Sequence, residues 1–338
     1  MSTVPVPTPA ASIEPATPTP TQSAASTPAV PVRKRRVFWF YATIVVVHLL
    51  ALAAFVPGYT LVWWGIPVLL IGNFIFGSLG INLGYHRMLT HSAAKFPKFL
   101  ERLWVLFGVC SLEGSPLWWV CTHRMHHQHS DEEGDPHSPQ EHFYWGHMEW
   151  IYTVDERRQK LDTYAKYVPD LMSDKFLRWL HRGEKWLLVW AVHVVLLTAI
   201  GFGAGFLFFE TTPDAVQFGV QWFLWAVIVR TVYVWHITWL VNSAAHRWGY
   251  RSYGTNDHST NNWFVALLTN GEGWHNNHHA APRACSQGHR WWELDLTFTF
   301  VRLLQFFRLA WDVVPVKVPA HIAKPAGGAS ESPGEPGV

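Results

Sequence analysis

Three short groups of histidines stand out in this chain: His86-Arg-Met-Leu-Thr-His91, His123-Arg-Met-His126-His127 and His275-Asn-Asn-His278-His279. A fourth element, Asn242-Ser-Ala-Ala-His246, ends in one more. Neutral imidazole ligates iron, copper or zinc well, so metal binding is the economical chemistry for such a set. On a helix, residues three or four apart share a face while neighbours diverge by about 100°. The adjacent pair in His-x-x-His-His therefore points two ways, and two such triplets facing each other would serve two metals. A single zinc is saturated by about four ligands; the candidates here exceed that. Of the other histidines, His129, His137, His142, His147, His181, His258, His289 and His321 are expected as supporting or surface groups. His48, His193 and His236 fall inside apolar runs and are expected to be hydrogen-bonded rather than ligating.

Something must bring these groups together, and the apolar runs supply it. Four of them, about Val37–Val56, Leu61–Leu83, Trp186–Phe209 and Val216–Val241, each approach the roughly 20 residues a spanning helix needs. Phe99–Leu112 is shorter and reads as an interfacial or buried helix. Arg33 to Arg36 flank the first run, whereas the short loops at 57–60 and 210–215 hold no Lys or Arg. By the positive-inside rule both termini are cytoplasmic, and residues 84–185 and 242–318 form a cap on that same side. The predicted fold class is an all-α integral membrane protein with four transmembrane helices and a cytosolic helical cap holding the histidines. The spans and cap make one domain, 37–318. Residues 1–36 are expected to be a disordered tail ending in the basic cluster, because residues 1–32 contain eight Pro and six Thr; 319–338 is expected to be a second such tail.

Composition excludes other classes. A formal net charge of +2, with no basic stripe beyond Arg33-Lys34-Arg35-Arg36, argues against a nucleic-acid partner. Cys110, Cys121 and Cys285 contain no Cys-x-x-Cys, so neither a disulfide framework nor a thiolate zinc site is implied. The 21 Trp and 21 Phe suit a membrane interface.

With these motifs in this order, the chain resembles the membrane-bound acyl lipid desaturases of the stearoyl-CoA desaturase-like branch. The resemblance runs from the second apolar run to about Val314 and includes Asn242-Ser-Ala-Ala-His246, His129-Ser-Asp131…Asp135-Pro-His137, Asn270-Gly-Glu-Gly-Trp-His275 and Trp291-Trp-Glu-Leu-Asp295. It implies two iron ions held by His86, His91, His123, His126, His127, His246, His275, His278 and His279, with Asn242 reaching one of them through water. It implies that Asp131, Asp135 and Glu272 are acceptors orienting imidazoles. It implies, too, that O2 is the co-substrate and that two hydrogens leave a fatty acyl chain to give a cis double bond and water. One departure bears on the substrate. Animal acyl-CoA members carry charged residues just before the second box, where this chain has Trp118-Trp119-Val120-Cys121-Thr122. Acyl-CoA, a carrier-protein-bound chain and a glycerolipid-linked chain all stay open. No cytochrome b5-like haem segment is recognisable at either end, so electrons are expected from a separate ferredoxin-like or cytochrome b5-like donor with its reductase.

Two rival readings remain. A membrane lipid hydroxylase would use similar ligands and differ in placing oxygen on the product. A metal transporter would need ionisable residues spread across the spans, whereas the clusters here lie on one side. For the desaturase, a dry substrate tunnel beside the second span is expected. Counting back from His86 at α-helical spacing gives Asn82, Leu79 and Ile75 as its metal-facing stripe, with Ile75 about 16 Å from His86 at 1.5 Å per residue.

Overall fold

The computed structural model describes residues 34–155 and 160–323. Among them, four helices are long and apolar enough to cross a membrane: α1 (Phe38–Phe55), α2 (Gly65–Thr90), the segment Lys175–Phe208 and α8 (Thr212–His246). Gly183 and Glu184, both at positive φ, break the third segment into α6 (Lys175–His181) and α7 (Lys185–Phe208). Between the second and third lie α3 (Lys98–Val109), α4 (Pro116–His129) and α5 (Leu161–Tyr167). After α8 come α9 (Trp263–Thr269), α10 (His275–Ala280) and α11 (Leu296–Phe306).

The four apolar runs thus correspond to helices, with one difference that matters for the site. From Asn73 to Thr90, α2 is wound as a π-helix, continuing past the predicted end at Leu83 and carrying His86 inside the helix. Such winding, with i→i+5 bonds, is rare and normally brief. Here it is held from both sides. Gly80 sits so close to α3 that a Cβ would lie 2.5 Å from the Gly108 nitrogen, a contact no larger residue tolerates. On the other side, polar residues of α2 are satisfied by the turn after α9: Asn73 and Asn82 donate to the carbonyls of Leu268 (3.4 Å) and Thr269 (2.6 Å), and Ser78 accepts from Asn270 (2.7 Å). Asn270 ends α9 in the left-handed conformation at φ 59°, the usual C-terminal stop, and so directs its amide at α2.

α8 is the central helix, with 72% of its most apolar window buried, against 11% for the Lys175–Phe208 segment. The outward residues of that segment and α1, such as Val195, Leu207, Leu49 and Leu52, are large, apolar and exposed, a surface that water would not favour. Arg230 is fully buried in α8. It donates to the Cys110 carbonyl at 2.8 Å and to His193 at 3.1 Å, and packs on Phe76, so it ties α2, α3, α7 and α8 together.

The fold is not purely helical. β1 (Lys34–Arg36) pairs antiparallel with β2 (Thr153–Asp155), so Lys34–Arg36 belong to a strand rather than to the tail in which composition placed them. Two three-residue strands carry too little alternation to be seen in sequence. At the other end, Gly254 donates to the Ile322 carbonyl at 2.9 Å, so 319–323 is ordered against the cap segments. The remainder of both predicted tails lies outside the described residues.

Candidate metal centre

α2 and the turn after it bring His86 and His91, α4 brings His123, His126 and His127, the end of α8 brings His246, and α10 brings His275, His278 and His279. α4 begins with Ser115 capping the Trp118 amide and Pro116 in its first turn, a strong start signal. The nine histidines fall into two groups. The ligand atoms of His86, His91, His123, His127 and His278 lie within 4.8 Å of one another, as do those of His126, His246, His275 and His279. Adjacent His126 and His127 serve different groups, and so do His278 and His279, as their divergence around a helix dictates.

The orientation of each imidazole has a visible cause. Nδ1 of His86 donates to Glu272 at 2.6 Å, Nδ1 of His246 to Asp131 at 2.7 Å, Nδ1 of His126 to Asp135 at 3.0 Å and Nδ1 of His279 to Asp257 at 2.5 Å. Each of these rings therefore turns a bare Nε2 inward. Glu272 is in turn gripped by Arg87 (2.7 Å), which also reaches Asp295 (2.9 Å) and the Cys285 carbonyl (2.7 Å), all buried. Burial pushes the Glu272 carboxyl up, but Arg87 and His86 beside it hold it at about 2, so it stays an acceptor. Asp131, Asp135 and Asp257 are held below the usual carboxylate range against burial, chiefly by His246, His126 and His279 respectively. Burial and then mutual repulsion push His91, His123, His127, His275 and His278 well below the usual imidazole range. A neutral imidazole is the ligand-competent form.

These residues fit metal ions better than they fit one another. His278 Nε2 lies 3.1 Å from His86 Nε2 and 2.9 Å from His127 Nε2; His275 Nε2 lies 3.0 Å from His246 Nε2 and 3.1 Å from His279 Nε2. With His86, His246 and His279 protonated on Nδ1, too few protons exist to make these contacts hydrogen bonds. His91 Nε2 and His126 Nε2 are buried with no partner at all. Two nitrogens each about 2.1 Å from a common ion and at right angles are about 3.0 Å apart, whereas tetrahedral zinc would spread them to about 3.4 Å. With five and four ligand atoms gathered in the two groups, the set fits metal ions.

Beside the groups, a cavity of about 30 Å³, room for a water or two, opens between α2 and α8. Asn242, half-buried, lines it with His86, His123, His275 and Glu272. From α2 it is lined by Gly77, Ile81 and Asn82. Leu79, which shares the hydrophobic core with Ile81, and half-buried Ile75 do not line the cavity, because π winding sets same-face residues four or five apart rather than three or four. Trp119 and Thr238 complete the wall, and both donate to Glu113, at 3.1 and 2.9 Å. Trp119 also stacks on His123 with ring centroids 5.0 Å apart.

Comparison with known proteins agrees with this constellation. A sequence model described as "Fatty acid desaturase" matches residues 66–304. The chain belongs to the fatty acid desaturase family. It is 41% identical to the sn-2 palmitoyl-lipid 9-desaturase of Nostoc sp. (strain 36) over 253 residues, covering 75% of this chain and 82% of that one. It is 40% identical to the Acyl-CoA C20 Delta5-desaturase of Anemone leveillei over 250 residues, 74% of this chain and 73% of the relative. It is 39% identical to the sn-1 stearoyl-lipid 9-desaturase of Anabaena variabilis over 266 residues, 79% and 89% of the two chains. The desaturase is thus an oxidoreductase acting on fatty acyl substrates, and its histidine groups are compatible with a metal centre.

Sequence reasoning missed Asp257, Glu113 and Arg87. Asp257 and Glu113 stand in no recognisable spacing, since their partners lie 22, 6 and 125 positions away. Arg87 follows His86 directly, inside the first histidine group, and nothing in its spacing marks the carboxylates it reaches, 185 and 208 positions away. Of the other histidines, His48, His236 and His147 form a separate chain with links of 3.0 Å, and His193 pairs with Arg230. His137, expected as a supporting group, stacks on His126 at 4.4 Å and with it and Asp135 forms a third possible ligand cluster.

Proposed function

We propose that the desaturase introduces a cis double bond into a glycerolipid-linked acyl chain at a two-iron centre, with electrons from a separate ferredoxin-like or cytochrome b5-like donor. The observation that carries this reading is the convergence of bare Nε2 atoms in two groups, both edging a cavity between α2 and α8. His86, His91, His123, His127 and His278 would hold one ion and His126, His246, His275 and His279 the other, with Asn242 reaching an ion through water. Bound iron would supply the O2-reducing redox chemistry that no side chain possesses. The overall balance is one –CH2–CH2– unit, O2, two electrons and two protons giving one –CH=CH– and two waters.

The chain's own residues do the rest. Asp131, Asp135, Asp257 and Glu272 fix the proton of each partner imidazole on Nδ1 and so keep Nε2 a base. Trp119 and Thr238, tied by Glu113, hold the cavity wall so that one C–C pair of the substrate lies beside the ions, away from bulk water. The apolar run before the second box favours a membrane lipid over acyl-CoA: Trp118 stacks on Trp150 with centroids 5.9 Å apart and rings 6° from parallel, so Trp118 makes an aromatic contact where a charged side chain would meet a nucleotide phosphate. The spans cross the membrane with both termini, the cap and the centre on the cytoplasmic side, as the distribution of Lys and Arg indicates.

Expression in a host lacking its own desaturase, followed by analysis of each lipid class as derivatives that locate double bonds, tests the reaction and the substrate together. New double bonds confined to intact glycerolipids support the reading; products appearing first in the acyl-CoA pool would move the substrate to acyl-CoA. Oxygen-18 appearing in the lipid product would make the chain a hydroxylase.

A further inference from the structure

The polar end of the protein carries an apolar surface that its own fold does not cover. In α9, Trp263, Phe264 and Leu267 are 65%, 52% and 64% exposed, while Val265, Ala266 and Thr269 are buried. In α11, Thr297, Val301 and Leu304 face inward, whereas Leu296, Leu303 and Phe306, the last 79% exposed, form an outer stripe. Both helices are therefore apolar on two faces, which a water-facing helix does not tolerate. Trp291 (93%) and Leu294 (67%) extend the same surface between them.

Charge on this surface is of one sign. From Arg290 to Arg308 the two carboxylates, Glu293 and Asp295, are turned inside at 4% and 7% exposure. Arg290, Arg302 and Arg308 stay outside. The surface is also continuous with the span-length helices. The Phe300 ring of α11 packs on Phe74 of α2 at 5.7 Å, and the Leu268 carbonyl of α9 accepts from Asn73 of α2 and Tyr233 of α8, each at 3.4 Å. Asn73 and Phe74 lie well inside the predicted span, 13 and 12 residues before His86. Helices that touch α2 at that level stand beside lipid if α2 crosses a bilayer.

We propose that α9 and α11, with Trp291 and Leu294, form a shelf immersed in the cytoplasmic leaflet, with Arg290, Arg302 and Arg308 at its edge against anionic lipid headgroups. The proposal rests on the membrane reading of the spans and deepens the substrate assignment. The same segment that lies in the leaflet continues through Asn270 and Gly271 to Glu272 and His275, so the depth of the shelf sets the height of the metal groups above the lipid acyl chains.

The test uses the full chain, iron-loaded, in vesicles of phosphatidylcholine and phosphatidylglycerol with or without brominated acyl tails. Single cysteines at Phe306, Leu267, Leu49 of α1 and Glu133 carry an environment-sensitive fluorophore; the three native cysteines are buried, and the unsubstituted chain gives the background. Labels at 306 and 267 should be quenched by brominated tails to at least half the extent of the label at 49, and the label at 133 should not be quenched. Quenching at 49 without quenching at 306 and 267 overturns the shelf alone, and so does cross-linking between copies through 306. No quenching at 49 overturns the membrane reading and the shelf with it. Independently, Arg302→Gln with Arg308→Gln should reduce by several-fold the preference of turnover for anionic over neutral vesicles; an unchanged preference removes the headgroup assignment.

Discussion

Asp257 accepts a 2.5 Å hydrogen bond from Nδ1 of His279, and by occupying that nitrogen it leaves Nε2 of His279 facing Nε2 of His275. The carboxylate also accepts from Ser259 and Thr255, so it is held in place from its own loop. Asp257→Asn, which can present its amide to the ring and favour the wrong tautomer, should lower metal affinity or turnover by about 10–100-fold. Metal content and activity measured on the same preparation check this; a variant with full metal and full turnover would remove Asp257 from the centre.

Two irons per chain are expected in active enzyme, and zinc-filled preparations should be inactive, since zinc generally binds nitrogen sites more tightly than ferrous iron. His127→Ala and His278→Ala should abolish turnover while leaving membrane insertion intact. His142→Ala should be nearly silent, because His142 lies apart from both groups and binds only the Trp145 amide and Glu149. One metal per chain in an active preparation would sink the two-iron assignment.

Ile81 lines the cavity and Leu79 does not. Ile81→Trp should therefore shorten the longest acyl chain accepted, without moving the double bond, whereas Leu79→Trp should leave that length unchanged; both residues belong to the buried core, so each substitution also costs about 1–3 kcal/mol of stability. Product chain-length profiles for the two variants decide it; the same profile for both would place the acyl chain elsewhere.

Burial pushes the Glu113 carboxyl up to about 8, despite hydrogen bonds from Trp119 and Thr238 that favour its charged form. Because the folded value exceeds the ordinary 4.5, the acid form stabilises the fold. That contribution is fully present below about pH 4.5 and is lost as pH rises to about 8. Tyr85 of α2 is an ionisable neighbour of Glu113. Glu113→Gln should flatten the fall in Tm between about pH 4.5 and 8; equal slopes for the two proteins would show that Glu113 does not titrate there.

Arg87 neutralises two buried carboxylates at once. Arg87→Met should cost about 3–5 kcal/mol, since it strands Glu272 and Asp295 without a partner cation. Thermal unfolding in detergent measures the loss, and a loss below about 1 kcal/mol would mean that the carboxylates find protons or water instead.

Much of the site was legible because ligand spacing is a local property. The His-x-x-His-His triplets state their own geometry once they are helical, and the apolar runs marked the span-length helices to within a few residues at most ends. What sequence could not reveal depends on contacts between distant segments. The π winding of α2 arises from α3 packing on Gly80 and from the 268–270 turn bonding to Asn73, Ser78 and Asn82, so α-helical counting from His86 picked Leu79 and Ile75 where Ile81 and Gly77 line the cavity. Asp257 is a loop residue whose only signature is the ring it touches. β1 and β2 were invisible because each of their three residues gains a partner only from the other strand.

The chain His48–His236–His147 couples three positions that no single substitution can satisfy. His48 Nδ1 must donate to the Ile44 carbonyl, which in the neutral ring leaves Nε2 an acceptor for His236 Nε2, and His236 Nδ1 then takes its proton from His147 Nε2; Ser243, beside His147 Nδ1, gives its own proton to the Trp239 carbonyl. Changing one ring strands a nitrogen on the next, so the three sites should accept replacement as a set more readily than one at a time. The three rings come from α1, α8 and the segment before β2, so the coupling joins elements far apart in the chain.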